Sequence, residues 1–356
     1  PSAQSAAERL RRVHRREILR LAMGRVVGVL DEDAVARGLD GAHTALLDAL
    51  LSAIRAHAGG ESEAPEIALV GMGRFGGGEL GFASDIDLIA VARGGATGTG
   101  PVSPAAKVVT ELRTLVSDPR FPVDLDFDLR PEGKNGPLVR SIDSYRSYYE
   151  RWSATWEAQA LLRARHAAGD GSLSTEFFAM ADPIRYPAEF REEQLRDVRR
   201  MKARVEGERL PQGQDPAMHL KLGPGGISDV EWLVQLLQLQ HGAEHPELRT
   251  VSTLAALSGA SRLGLIDADD AATLEDAWRL ASTLRSAMRL WNGRGTDSLP
   301  RDWRDLAGIA GVLGLPRDRT SELVERWHTV SRRARAVFER EFFGYREDEL
   351  FPEVQA

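Results

Sequence analysis

Cysteine is absent from the 356-residue sequence, which excludes disulfide bonds and thiolate zinc sites. Long apolar runs are absent as well, so no segment is long enough to span a bilayer. The Arg-rich start lacks the apolar core of a secretion signal. The sequence also lacks a net positive charge. Its formal charge is −7, which disfavours a nucleic-acid partner. These absences favour a cytoplasmic protein that binds neither membranes nor nucleic acid.

The hydrophobic pattern changes its period along the chain and so predicts separate domains. Residues 1–62 carry two amphipathic helical patterns and form a helical arm. Residues 63–170 mix short alternating runs with helical ones, as in a small α/β domain. Residues 171–346 carry only helical patterns and predict a separate bundle, while residues 347–356 form a tail. The chain begins at Pro1 without a Met, which favours a fragment of a longer protein.

Two carboxylates stand two residues apart in one predicted strand around residues 85–90. Alternate side chains of a strand share a face, so Asp85 and Asp87 point the same way, with Cα atoms roughly 6–7 Å apart. Both then reach one pair of metal ions, and Mg²⁺ prefers carboxylate and phosphate oxygens. The alternative is a half-exposed strand whose acids simply face water.

A second acidic strand is predicted over residues 121–130, which alternate for their whole length. Its polar face carries three acids and one base, namely Asp124, Asp126, Asp128 and Arg130. Like charges in a row repel one another, so this face needs solvent, a basic partner or a cation. Two acid-faced strands in one domain favour a metal site over two solvated faces.

A glycine-rich turn at residues 71–80 directly precedes the first acidic strand. Glycines let backbone N–H groups approach phosphate oxygens without a Cβ in the way. The turn is neither a Walker A loop nor a Rossmann fingerprint, and a flexible loop alone would explain it equally well. Together with the acids it predicts phosphoryl chemistry, with Arg74, Arg130 and Lys134 as further donors to phosphate oxygens.

Some weaker signals have structural explanations. A predicted helix over residues 142–166 carries three aromatic residues at helical spacing, Tyr149, Trp152 and Trp156, and this favours packing in the core. Arg163 and Arg165 at the end of that helix either reach a phosphate or are solvated. Ser228 and Glu231 form the pattern of a capping box, although the same helix start also suits an anion.

Taken in order, these runs resemble the nucleotidyltransferase signature of the glutamine synthetase adenylyltransferase family. The matching residues are 73–80, 84–88, 126–133, 136–139, 156–161 with Arg163 and Arg165, and 221–231. The resemblance covers about residues 10–345. It implies an α+β fold, in which a polymerase-β-like nucleotidyltransferase domain with a small mixed sheet follows an N-terminal helical arm and precedes a C-terminal helical bundle.

The resemblance also implies roles for individual residues. It assigns three acids, Asp85, Asp87 and Asp126, as catalytic residues that hold two Mg²⁺ ions. It assigns a second set, Gly73, Gly76, Gly77, Ser84 and Arg130, to binding of ATP. Many relatives have an arginine where this chain has Asp128, which leaves two candidates for the third metal ligand. Alignment on residues 129–131 selects Asp126.

The family implied by the resemblance has two related catalytic halves. One attaches AMP from ATP to a tyrosine of glutamine synthetase and releases pyrophosphate, which regulates nitrogen assimilation, and the other removes AMP by phosphorolysis. Only one copy of the signature is present, and residues 155–160 resemble the C-terminal, AMP-attaching half. The alternatives are the adenylyl-removing half and a non-catalytic module. Such a module would bind glutamine synthetase or a PII-type nitrogen-signalling protein, which are also the expected partners.

Overall fold

The computed structural model describes residues 2–57, 65–82, 84–93, 103–118, 120–152, 154–210, 212–293 and 295–345. The chain forms two compact units, the first built mainly from residues up to Arg185 and the second mainly from residues 186 onward. The predicted tail at residues 347–356 lies outside the described residues. Within the ranges given, no helix combines the length and apolar character needed to cross a membrane.

The first unit combines helices with short strands, as the predicted α+β class requires. Its helices are α1 (Ala3–Val26), α2 (Glu32–His57), α3 (Gly73–Gly76), α4 (Pro104–Val116), α5 (Ile142–Trp152), α6 (Thr155–Leu161) and α7 (Gly171–Arg185). Its strands are β1 (Ile67–Gly71), β2 (Ile86–Ala92), β3 (Leu125–Asp126), β4 (Val139–Ser141) and β5 (Arg165–Gly169). A 3₁₀ turn at Gly133–Asn135 separates β3 from β4.

The five strands form one small mixed sheet. Four of them follow the order β3-β2-β1-β5, and β4 pairs with β2 outside this order. Strand β1 runs antiparallel to β2 and to β5. The other edge of β2 pairs in parallel with β3 near its start and with β4 near its end. The beginning of β2 therefore lies beside β3, and both acidic segments meet at this edge of the sheet.

Helices cover the sheet, because β1 is apolar and buried along its whole length. On one face, Val70 and Ile89 pack with the aromatic rings of Tyr145 and Phe177 from α5 and α7. Helix α2 contacts β5 and α4. The buried interior fixes β2 in place and leaves its acidic start as the polar end of an apolar strand.

Helix α1 packs on the rest of the first unit through a buried carboxylate after α4 and a histidine pair with α2. Arg15 of α1 forms an ion pair with Asp118 just after α4, and Arg11 Nε lies 4.0 Å from the same carboxylate. His14 and His43 meet edge to face, with ring centroids 4.8 Å apart. Burial is the main cause that lowers the pKa of each imidazole to about 4. Helix α1 is therefore held against the rest of the unit by groups that must stay neutral or paired.

The histidine pair predicts acid sensitivity of the first unit. Each imidazole titrates at a lower pKa when folded than its usual 6.5, so the unfolded chain binds more protons. Stability is then full above about pH 6.5 and falls as the pH drops toward 4. Between pH 7 and pH 5, the Tm of the double variant His14→Leu/His43→Leu should fall by about a few degrees less than the Tm of the wild type. His57→Gln, at an exposed site on α2, is the control and should leave the pH profile unchanged.

One prediction from the alternation of side chains is wrong. The predicted strand over residues 121–130 is reduced to Leu125–Asp126, because the chain turns back on itself directly afterwards. The Asp126 Oδ1 accepts the N–H of Asp128 at 2.6 Å, and the Arg130 guanidinium donates to the carbonyl of Phe127 at 2.8 Å. These local hydrogen bonds replace strand pairing. Pro122 also lacks the N–H that a longer ladder would use.

The predicted helix over residues 142–166 is also wrong. The segment forms α5 and α6, and from Arg165 the chain enters β5 at the edge of the sheet. Tyr149 is buried as predicted, and its ring stacks on Tyr145 with centroids 6.0 Å apart. Trp152, the last residue of α5, is 70% exposed, so its predicted core packing is wrong. Trp156 is partly exposed.

The first unit extends past the boundary that the sequence predicts at residue 170. Helix α7 contacts β1, β2 and β5, and its Phe177 and Ala181 are fully buried in the core of the sheet. The helical arm belongs to the same unit. We therefore propose a domain boundary near Arg185 rather than at residue 170.

The regular secondary structure of the second unit is helical in its described part, apart from one isolated β-bridge between His219 and Ser298. Its helices are α8 (Glu192–Glu208), α9 (Ile227–His241), α10 (Thr253–Arg262), α11 (Ala268–Asn292), α12 (Trp303–Val312) and α13 (Thr320–Phe338). Two 3₁₀ turns, Pro216–Met218 and Pro246–Leu248, connect them, and a π-helical turn over Glu339–Phe343 follows α13. This architecture agrees with the predicted helical bundle.

A buried ion network, rather than a capping box, organises the start of α9. Gly226 caps the helix, and no side chain caps it, so the predicted capping box of Ser228 and Glu231 is wrong. The fully buried Asp229 instead accepts the N–H of Gly225 at 2.8 Å. Its carboxylate also lies 2.6 Å from Lys202 Nζ and 3.1 Å from the Arg335 guanidinium. Asp229 thus ties α8, α9 and α13 together, and its own charge occupies the helix start.

Candidate functional site

The parallel pairing of β2 and β3 brings the two acidic segments side by side. Asp87 and Asp126 are register partners, as are Ile86 and Leu125. Partner residues on parallel strands lie about 4.8 Å apart and share a face of the sheet. Because Ile86 and Leu125 are buried on one face, Asp87 and Asp126 lie together on the other. Asp85 immediately precedes β2 and is exposed.

An open groove of about 440 Å³ runs along this acidic edge. Its polar lining consists of Asp85, Asp124, Asp126, Asp128, Arg113, Arg130 and Lys134, with Leu125, Phe127 and Leu138 as apolar lining. Four carboxylates therefore meet three cations in one small space. Asp87 is not part of the lining, because its carboxylate turns toward Gly73 of the glycine-rich turn.

Local contacts distinguish the two candidates for the third acid. Asp128 pairs with Lys134 Nζ at 3.3 Å and with the Arg130 guanidinium at 3.7 Å. Asp126 has no ion pair within the described residues, and one of its oxygens accepts the Asp128 N–H. Asp126 is also the register partner of Asp87, whereas Asp128 lies in the turn beyond β3. The geometry thus favours Asp126 as the acid that acts with Asp87.

The acids do not form a closed cage for a metal ion. Among the described residues, no group of three or more His, Asp or Glu side chains is arranged to hold a metal by itself. Mg²⁺ in phosphoryl-transfer sites is usually bound by one or two carboxylates, with substrate phosphates and water completing its shell. The pairing of Asp87 with Asp126, with Asp85 next to them, therefore fits a magnesium ion that arrives with a nucleotide.

The glycine-rich turn is closed by its own backbone hydrogen bonds. It forms the single helical turn α3, in which the N–H of Gly76 donates to Met72 and the N–H of Gly77 donates to Gly73. These two amides are therefore hydrogen-bonded within the turn, and their predicted role in binding ATP stays a prediction. A Cβ on Gly76 would overlap the carbonyl oxygen of Arg163, so glycine is required there for close packing.

Gly73 makes room for the Asp87 carboxylate. Its φ is +52°, which favours glycine, and a Cβ at this position would overlap Oδ2 of Asp87. The backbone N–H of Met72 also donates to the Asp87 carbonyl at 2.9 Å. The turn therefore fixes both the backbone and the side chain of Asp87.

Three arginines considered for phosphate binding are used by the protein to hold this site together. Arg130 donates to the carbonyls of Phe127, Lys134 and Gly136 at 2.8 to 3.0 Å. Arg163 forms a buried ion pair with Glu79 at 2.7 Å. Arg165 donates to the carbonyls of Phe75 and Gly76, forms an ion pair with Asp40 of α2, and lies over the Phe75 ring. Their guanidinium groups shape the glycine-rich turn and the acidic turn.

Gly73→Ala is expected to reduce catalysis by at least about tenfold, because a displaced metal-binding carboxylate loses well over 1.4 kcal/mol of transition-state stabilisation. Gly78→Ala is a matched control, since Gly78 also has a positive φ of +67° but its Cβ would meet no atom within 4 Å. Both variants should lose about 1–2 kcal/mol of stability from the left-handed backbone. Steady-state rates and denaturant unfolding of the two variants separate these effects. Equal rates for both variants would remove Gly73 from the site.

Arg113 of α4 is the groove residue that sequence reasoning missed. Its guanidinium carbon lies 5.9 Å from the centre of the Phe127 ring, and the side chain lines the groove. A single arginine on an amphipathic helix carries no signal by itself, because most such residues are solvated. Only the packing of α4 beside the acidic turn places it here.

The small mixed sheet and the acidic groove place the first unit in the class of nucleotidyltransferase-like α+β domains. Residues 1–180 match the family model described as glutamate-ammonia ligase adenylyltransferase. The chain belongs to this family. Residues 197–342 match a second family model, described as GlnD PII-uridylyltransferase.

Curated relatives are similar to almost the whole chain. A bifunctional glutamine synthetase adenylyltransferase/adenylyl-removing enzyme from Leifsonia xyli subsp. xyli is 54% identical over 96% of this chain and 34% of its own length. Proteins of the same description from Streptomyces avermitilis and Mycobacterium avium are 43% and 45% identical over 96% and 94% of this chain. The matched regions are 36% and 34% of those proteins. The chain spans about a third of the length of the curated relatives that it matches.

Proposed function

We propose that this chain transfers AMP from ATP to a tyrosine hydroxyl of glutamine synthetase and releases pyrophosphate. The observation that carries the proposal is the register pairing of Asp87 with Asp126 at the acidic edge, with Asp85 immediately before β2. The relatives described as glutamine synthetase adenylyltransferase/adenylyl-removing enzymes support the substrate. Regulation of nitrogen assimilation in the cytoplasm follows from that substrate.

In this reaction the tyrosine oxygen forms a bond to the α-phosphorus of ATP, and the bond between that phosphorus and the bridging oxygen to the β-phosphorus breaks. Pyrophosphate leaves, and the tyrosine proton passes to a base. Magnesium bound with ATP would neutralise the charge that develops on the phosphates. Asp85 and Asp87 would hold it, and Asp126 would complete the site. Asp126 would also take the proton of the attacking hydroxyl.

The protein's other groups position these acids. Gly73 leaves the space that the Asp87 carboxylate fills, and Arg130 holds the backbone of the acidic turn. Ser84 directly precedes Asp85, where its hydroxyl is suited to a phosphate oxygen. Since the amides of Gly76 and Gly77 are bonded within the turn, we assign these glycines to the shape of the turn rather than to direct ATP contact.

Phosphorolytic removal of AMP is the alternative on the same scaffold, because it uses the same acids with phosphate as the attacking group. Residues 155–160, which resemble the AMP-attaching half, favour attachment. A PII-type signalling protein is the second proposed partner, and the match of residues 197–342 to the PII-uridylyltransferase model supports it. A purely binding module has no use for a mutually repulsive acid cluster at a sheet edge.

The test uses two parallel reactions with the purified chain. In the first, glutamine synthetase is incubated with Mg²⁺ and ATP labelled in its α-phosphate, and we expect label on a tyrosine together with pyrophosphate. In the second, adenylylated glutamine synthetase is incubated with phosphate, and the release of ADP is measured. ADP release without AMP attachment would reassign the chain to the adenylyl-removing activity. Neither product with the wild type would contradict the proposed function.

A further inference from the structure

We propose that Arg113 binds a terminal phosphate group in the acidic groove, either that of ATP or that of free pyrophosphate. The inference deepens the proposed function, on which it rests for the identity of the nucleotide. It is drawn from the placement of Arg113 on α4, from its lack of acidic partners, and from the charge balance of the groove.

Arg113 is the groove's uncommitted cation within the described residues. Arg130 is bound to three backbone carbonyls, and Lys134 is paired with Asp128. Arg113 forms no hydrogen bond or ion pair in the part of the chain that the structure describes, and its contact is the ring of Phe127. Its side chain is exposed, and it pairs with none of the four aspartates that line the same groove within the described residues.

The contact with Phe127 places the exposed guanidinium beside the groove wall and leaves its donors available. Phe127 is only 4% exposed, so the ring is a fixed part of the groove wall. An arginine over an aromatic ring gains about 0.5–1 kcal/mol at an exposed site and keeps its N–H groups turned to the side. The planar fork of N–H donors matches two oxygens of one phosphate group.

The charges of the groove indicate which part of a nucleotide Arg113 meets. The acids Asp85 and Asp126 lie where metal ions and the reacting α-phosphate are proposed to bind. The remaining phosphates carry most of the negative charge and gain more when the bond to the α-phosphorus breaks. A free cation in the same groove neutralises that charge. Nucleoside monophosphates lack those phosphates, so Arg113 should discriminate between ATP and AMP.

The test is a set of binding measurements on Arg113→Gln, with Arg113→Lys and Lys107→Gln beside it. Lys107 is an exposed cation on the same helix and does not line the groove, so its variant controls for the loss of one charge from α4. Calorimetric titrations use Mg·ATP, magnesium pyrophosphate, magnesium phosphate and AMP. We expect Arg113→Gln to weaken Mg·ATP and pyrophosphate about tenfold or more and to leave AMP within about twofold. Arg113→Lys should recover part of the loss.

The separate ligands identify the source of the phosphate group. Weakening of free phosphate as well would assign the site to any phosphate, whereas weakening of ATP alone would assign it to the nucleotide. Equal binding by Arg113→Gln and Lys107→Gln, or no binding of any of these ligands by the wild type, would overturn the inference. Normal AMP transfer and ATP binding by Arg113→Gln would overturn it while sparing the proposed function. If pyrophosphate binding depends on Arg113 but the wild type transfers no AMP, the inference would stand and the proposed function would be contradicted.

Discussion

Asp87→Asn is expected to slow AMP transfer on the order of a thousandfold while the fold stays intact. The carboxylate is proposed to hold magnesium, and its loss costs several kcal/mol of transition-state stabilisation, at about 1.4 kcal/mol per tenfold. The folded apo state should keep or slightly gain stability, because one of several neighbouring negative charges disappears. The rise of Tm that Mg·ATP causes should shrink, since ligand stabilisation follows occupancy of the site.

The measurement is a labelled-AMP transfer assay beside melting curves with and without Mg·ATP. Asp143→Asn is the matched control, because Asp143 is an exposed acid on α5 whose partner is Arg146. It should keep both the rate and the ligand-dependent rise of Tm. A near wild-type rate for Asp87→Asn would remove Asp87 from the mechanism, and with it most of the case for catalysis at the acidic groove.

Asp229→Ala is expected to destabilise the second unit by about 3–5 kcal/mol. Its carboxylate is buried between Lys202, which is only 1% exposed, and Arg335, and it also accepts the Gly225 N–H. Removing it leaves the Gly225 N–H without this acceptor and leaves Glu206 as the remaining acid shared by the two cations, and breaking a buried pair from one side costs this much. Repulsion between Lys202 and Arg335 then adds to the loss.

Urea unfolding followed by circular dichroism measures this effect. Asp197→Ala is the control, because Asp197 pairs with Arg200 on the exposed surface of α8, at 3.4 Å. Its loss should cost no more than about 1 kcal/mol, as for most exposed ion pairs. If Asp229→Ala unfolds at nearly the same urea concentration as Asp197→Ala, the network does not stabilise the bundle.

The sequence predicts those parts of the fold in which local pattern and tertiary packing agree. Strand β2 lies close to its predicted position around residues 85–90, because its apolar residues are buried in the sheet. Residues 121–130 show where alternation misleads. Their side chains alternate, but the Asp126 carboxylate and the Arg130 guanidinium bind the local backbone and turn the chain. Competition between side chains and neighbouring strands for the same N–H groups cannot be read from alternation alone.

The candidate site also could be predicted only in part from the sequence. Asp85 and Asp87 are predicted from two acids at strand spacing, and Asp126 is predicted from the resemblance. The sheet brings the segments that carry them together. The close approach of Gly73 to Asp87 and of Gly76 to Arg163 could not be predicted, because the sequence shows that these glycines are small but not what lies against them. Arg113 could not be predicted, since its place in the groove depends on how α4 packs beside the acidic turn that follows it in the chain.

The central claim is that Asp87 and Asp126 hold the metal of a nucleotidyl-transfer site, and anomalous diffraction tests it most directly. Crystals of the chain would be soaked with Mn²⁺ and a non-hydrolysable ATP analogue, and the manganese positions located from their anomalous signal. We expect a peak within about 2.0–2.5 Å of carboxylate oxygens of Asp87 and Asp126, in contact with the analogue's phosphates. A peak held by Asp124 or Asp128 instead, or an analogue bound away from the acidic groove, would contradict this account.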